Sequence, residues 1–155
     1  MENRAAGVTF IVAAVIRCLT GYVLACIAAG LFQVAFVISP IDLLTADADR
    51  LTAVGIWLLL AVLHTGSFAA PFALIAIAVA EWKAITSRGY FAGIGIGIGI
   101  IAFLAQAPVR ASDQPLKVTV YILAACIASG LVAGLVYWLV AGRLSGRRYR
   151  RFPRI

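Results

Sequence analysis

His64 is the only histidine in a chain of 155 residues, and it stands inside a long apolar run. At 100° per residue, Ser67 and Pro71 share its helical face, together with Trp57 and Leu60. An imidazole at membrane depth handles protons, holds a ligand, or hydrogen-bonds to a neighbouring carbonyl or hydroxyl. His64 with Ser67 is therefore the candidate polar intramembrane site. Pro71 cannot donate to the carbonyl of Ser67, which predicts a kink beside it.

Little else in the chain is equipped for chemistry. The three cysteines, Cys18, Cys26 and Cys126, show no ligand spacing, so no metal and no cofactor is expected. A haem between two histidines would need a symmetric dimer contributing one His64 from each chain. No nucleophile–base set, phosphate loop or pair of intramembrane carboxylates is present, and the expectation is that the protein is not an enzyme. Gln33 and Gln106 are the other polar groups near membrane depth. Asp42, Asp47 and Asp49 precede an apolar run and suit helix capping, as do Ser112 and Asp113. Glu81 and Lys83 read as an interfacial pair or as solvated charges.

These residues are set in a chain that is 64% hydrophobic and 12% charged, with a mean hydropathy of +1.06. A soluble domain of this size is nearer half apolar and a quarter charged, so a soluble fold is excluded. A span needs roughly 20 apolar residues. The chain accommodates four, at about residues 18–38, 57–80, 90–107 and 118–141. The predicted fold is an all-α membrane protein, a four-helix transmembrane bundle over residues 1–142, followed by a basic tail at 143–155.

Charge sets the orientation. The net charge is +7, and Arg143, Arg147, Arg148, Arg150, Arg151 and Arg154 all lie in the tail. With the N-terminus inside, ten basic residues fall on the inner side and three on the outer. The positive-inside rule then predicts cytoplasmic termini in an inner (plasma) membrane, with the tail against anionic lipid headgroups. Nucleic acid is not expected as a partner, for lack of aromatic platforms and a folded reading head. Trp57 and Trp82, 25 residues apart, sit roughly 37 Å apart on a helix, about the separation of two bilayer interfaces. Arg17 belongs at the cytoplasmic interface, with residues 5–16 as a helical extension.

Membrane helices associate through small residues. Gly93, Gly95, Gly97 and Gly99 alternate along the third span. On a helix, Gly89, Gly93 and Gly97 share one face, while Gly95, Gly99 and Ala102 share roughly the opposite one. That predicts a helix held between two neighbours, or between one neighbour and a partner subunit. The segment from Ala25 to Leu31 matches Ala125 to Leu131 at six of seven positions, Gly30 corresponding to Gly130. The faces Tyr22, Cys26, Ala29, Gly30, Gln33 and Cys126, Ser129, Gly130, Ala133, Tyr137 are expected to point into the bundle.

The ending Val136-Tyr137-Trp138-Leu139-Val140-Ala141-Gly142-Arg143, with the stretch from Phe72 to Trp82, resembles small uncharacterised four-span proteins of bacterial inner membranes. The resemblance covers about a third of the chain and implies location rather than activity. The expected function is that of a small accessory or scaffold protein acting through helix–helix contacts, with a membrane-protein partner or a second copy of itself. The alternative is an oligomeric small-molecule or ion permease or channel with a path near His64.

Overall fold

The computed structural model describes the backbone of residues 2–38, 45–110 and 116–144, and the side chains of 12–38, 45–106 and 119–143. Four α-helices follow one another: α1 (Glu2–Val37), α2 (Ala48–Trp82), α3 (Arg88–Arg110) and α4 (Leu116–Val140), with a 3₁₀ turn at Gly142–Leu144. No strand occurs among the described residues. Each helix contains a stretch long and apolar enough to cross a membrane: Val12–Val37, Ala48–Trp82, Arg88–Gln106 and Thr119–Val140. The protein is a multi-pass four-helix bundle. In apolar surroundings each backbone donor must be satisfied within its own segment, which is why these runs are helical.

The helices are longer than the span estimates. Helix α1 is continuous from Glu2, and α2 starts nine residues ahead of Trp57 and runs through Pro71 without a break. Helix α3 passes Pro108 to reach Arg110. Asp47 occupies the N-cap position of α2, but its side chain makes no capping hydrogen bond, while Asp49 lies in the first turn. Asp42, Ser112, Asp113 and the tail arginines Arg147, Arg148, Arg150, Arg151 and Arg154 lie outside the described residues.

Alternating helix directions place the start of α1, the end of α2, the start of α3 and the end of α4 together. We call this the terminal end, and the opposite one the far end. The small core is at the terminal end, built from Ala25, Ala80, Phe91, Tyr137 and Ala141. Phe91 meets Tyr137 at 5.4 Å between ring centres and stands edge-on to Tyr90.

A tight turn after α2 returns the chain into the bundle. Ala84 takes a left-handed conformation (φ 52°), and the amide of Ile85 donates to the carbonyl of Ala80 at 2.9 Å. This six-to-one bond closes helices at a left-handed residue, usually glycine. Ile85 then packs against the core it helps to close.

The helices meet unequally. Helices α3 and α4 touch backbone to backbone. A Cβ added at Gly95 would overlap the carbonyl of Gly130, and one at Gly130 would overlap that of Gly95. Gly99 lies against the carbonyl of Cys126, and Gly134 against that of Phe91. Helix α1 packs on α4 through Gly21, where a Cβ would stand 2.9 Å from that of Ala141, and on α2 through Gly30, where it would stand 2.5 Å from Val62 Cγ2. Helices α2 and α3, although consecutive, approach only at the terminal end, where the Tyr90 hydroxyl donates to the carbonyl of Ala76 at 2.9 Å. Beyond it they part.

Candidate functional site

The parting of α2 and α3 leaves a half-open cavity of about 580 Å³ to which all four helices contribute. Its floor is the terminal-end core, with Phe91 and Tyr137 at the bottom. Its walls are Ala, Gly, Ile and Phe, including Phe68 and Ala73 on α2 and Ile94 and Ile98 on α3. Among the described residues, no Asp, Glu, Lys or Arg lines it.

Polar groups run from mid-bundle to the far end. Gln33 Nε2 on α1 donates to Thr65 Oγ1 on α2 at 3.4 Å. Gln106 faces in from α3, and Tyr121 from α4 donates to the Phe36 carbonyl at 2.9 Å, with ring centres 5.2 Å apart. Deeper in, Tyr22 donates to the carbonyl of Gly66 and Ser129 to that of Cys126. These local bonds satisfy groups that a bilayer interior cannot hydrate.

His64 lines the cavity, and its side chain makes no hydrogen bond among the described residues. It is an exposed position, as is Ser67, which lies off the cavity wall. Of the two members of the candidate polar site, one turn apart on α2, only His64 is among the cavity-lining residues. The residue after His64, Thr65, also lines the cavity and accepts from Gln33.

The glycines of α3 also divide. Gly95 and Gly99 are buried against α4. At Gly93 and Gly97 an added Cβ would meet nothing within 4 Å. Only one of the two glycine faces has a neighbour among the described residues.

A second cluster occupies the terminal end. Arg17 Nη2 on α1 is 3.1 Å from Glu81 Oε1 on α2, with both side chains about one-quarter to one-third exposed. Glu81 is therefore paired across helices with Arg17. The charge on α1 is neutralised in place, so the side chain has no need to reach out to water. Arg17 Nε is buried without a partner, and Cys18 Sγ is 4.0 Å from Glu81 Oε1. Nearer the surface, Trp138 Nε1 donates to the carbonyl of Thr86 at 2.9 Å, tying α4 to the α2–α3 turn. The guanidinium carbons of Arg88 and Arg143 lie 4.8 and 5.4 Å from the centre of the same indole ring. Arg143 also donates twice to the Leu139 carbonyl. Neither Arg88 nor Arg143 has a carboxylate partner among the described residues.

The Arg17–Glu81 pair has no sequence signature: its members are 64 residues apart and carry no motif. The cavity had no signature either, since it arises from a contact that α2 and α3 fail to make. Among the described residues no group of three or more His, Cys, Asp or Glu converges on one point. No protein-family model, curated protein or solved structure matches this chain.

Proposed function

We propose that this protein is a small non-catalytic accessory or scaffold protein of a cytoplasmic membrane, working through helix–helix contacts. The observation that carries this reading is the unused face of α3. Glycine within a helix is disfavoured by about 1 kcal/mol relative to alanine, and Gly93 and Gly97 stand where no described residue would meet an added Cβ within 4 Å. A second helix laid along that face, from a partner or another copy of this chain, would gain the close approach that glycine permits. The test is native mass spectrometry of protein extracted in gentle detergent. A fixed complex lost on Gly97→Leu supports the reading, and a monomer with no bound protein sinks it.

In this reading both termini are cytoplasmic. The terminal end, with Arg88 and Arg143 stacked on Trp138, then lies against anionic headgroups, and the arginine-rich tail adds roughly 1 kcal/mol per basic residue near the surface. A reporter fused after Ile155 that is active only outside the cytoplasm would reverse this orientation. Binding of the full-length protein's tail to anionic vesicles, read by its salt dependence, checks the lipid contact.

A second reading, a permease or channel with a path near His64, is favoured by the cavity. In a single chain that cavity ends blindly at Phe91 and Tyr137. Passage would therefore require rearrangement of the core or an assembly of several chains. Flux into proteoliposomes that survives His64→Phe would retire the role of His64 in this reading.

A further inference from the structure

We propose that the cavity between α2 and α3 is a binding site for an uncharged, single-chain amphiphile taken laterally from the bilayer, with its hydroxyl or carbonyl head at His64 and its chain on the apolar floor. This inference concerns the inside of the bundle and does not depend on the accessory reading, which uses the outer face of α3.

Three observations converge. The volume of about 580 Å³ falls within the range of small-molecule sites, about 300–1,000 Å³, and the lining has their character, apolar with a few convergent polar groups. The opening lies between two membrane-spanning helices that separate away from the terminal end, so entry is from the lipid rather than from water. The polar groups are ordered along the cavity. Gln106 lies nearest the far end, His64 and Thr65 stand at mid-length of α2 beside Cys26, and Phe91 and Ala76 line the closed end. A molecule matching that order has a small polar head and an apolar body.

The class of head follows from charge. Among the described residues, no Asp, Glu, Lys or Arg lines the cavity, so a carboxylate, phosphate or ammonium would find no fixed counter-charge there. A neutral imidazole offers one donor and one acceptor. His64 is the lining group whose side chain makes no bond to the protein, whereas Gln33 and Thr65 bond to each other. A hydroxyl or carbonyl oxygen at that position supplies what His64 lacks.

The test is photolabelling of the full chain in phosphatidylcholine nanodiscs with a long-chain alcohol carrying a mid-chain diazirine. Label is expected on Phe68, Ala73, Ile94 and Ile98 rather than on the outward-facing Leu59 and Leu74. Unlabelled alcohol should compete at about tenfold lower concentration than the matching carboxylic acid or amine, and His64→Ala should erase most of that preference. Ala73→Trp, which fills the cavity from α2, should reduce labelling about fivefold, and Ala102→Leu does the same from the α3 wall if Ala73→Trp fails to fold. Equal labelling of inner and outer positions, equal competition by the acid, or undiminished labelling in a folded cavity-filling variant would each overturn the proposal.

Discussion

Two helix pairs on either side of α3 are built on opposite principles. Against α4, the helix brings Gly95 and Gly99 onto the backbone of Gly130 and Cys126, and no side chain intervenes. Against α2, a single hydroxyl of Tyr90 reaches the carbonyl of Ala76, and a cavity takes up the remaining length. In water, an open apolar seam would close by hydrophobic collapse. In a bilayer, lipid solvates apolar side chains as well as protein does, so only close packing and hydrogen bonds hold helices together. This seam stays open: Ala69, Ala73 and Ala76 of α2 line the cavity across from Ile94 and Ile98 of α3. The tight pair provides the frame, and the loose pair provides the opening.

The strongest way to break this contrast is Gly95→Leu. Its side chain cannot enter a backbone contact, and the α3–α4 pair should separate, with the folded, monodisperse protein lost in detergent chromatography. The same change at Gly97 should leave the thermal midpoint of the isolated chain nearly unmoved, because nothing stands within 4 Å of that position. Comparable losses from both would mean that the two faces are equally packed. Next comes the terminal clasp that holds α1 to α2. Glu81→Ala leaves Arg17 unpaired and should cost about 1–2 kcal/mol, measured by unfolding in a denaturing detergent. Exchanging the two charges, Arg17→Glu with Glu81→Arg, should recover part of that in a double-mutant cycle. Tyr90→Phe removes the hydrogen bond across the loose seam at about 0.6 kcal/mol, the average for membrane interhelical bonds, and distances between spin labels on α2 and α3 should lengthen. The smallest effect has the opposite sign. Ala84→Gly relieves a left-handed alanine and should stabilise the α2–α3 turn by about 0.5–1 kcal/mol, read as a raised midpoint.

The spans were legible because a bilayer imposes a length and a composition that the chain states openly. Their ends were less so. Helical backbone continues beyond the apolar window of α1 to Glu2, and on α3 it continues past Pro108. The alternating glycines of α3 announced two faces, but not which would be used. That depended on where α4 carries its own gaps, Gly130 and Gly134, and Gly134 belongs to no repeat. His64 was visible as an isolated polar group, and its apparent companion Ser67 was suggested by helical spacing. That the next residue, Thr65, meets Gln33 of another helix depends on how α1 crosses α2. The Arg17–Glu81 pair belongs to the same class, a contact made by tertiary packing between residues that look unrelated in sequence.

Helix α2 has a consequence of its own. Its 35 residues make a rod of about 50 Å, against a hydrocarbon thickness of roughly 30 Å. Helix α3, with 23 residues, is about 34 Å long and much nearer that thickness. Excess length in a membrane is taken up by leaning or by projecting into the headgroups. The two helices are joined at Lys83–Ser87 and fastened by Tyr90, so any lean of α2 pivots about that joint. The difference in length between the two neighbours therefore falls at the end away from that joint, where the seam opens.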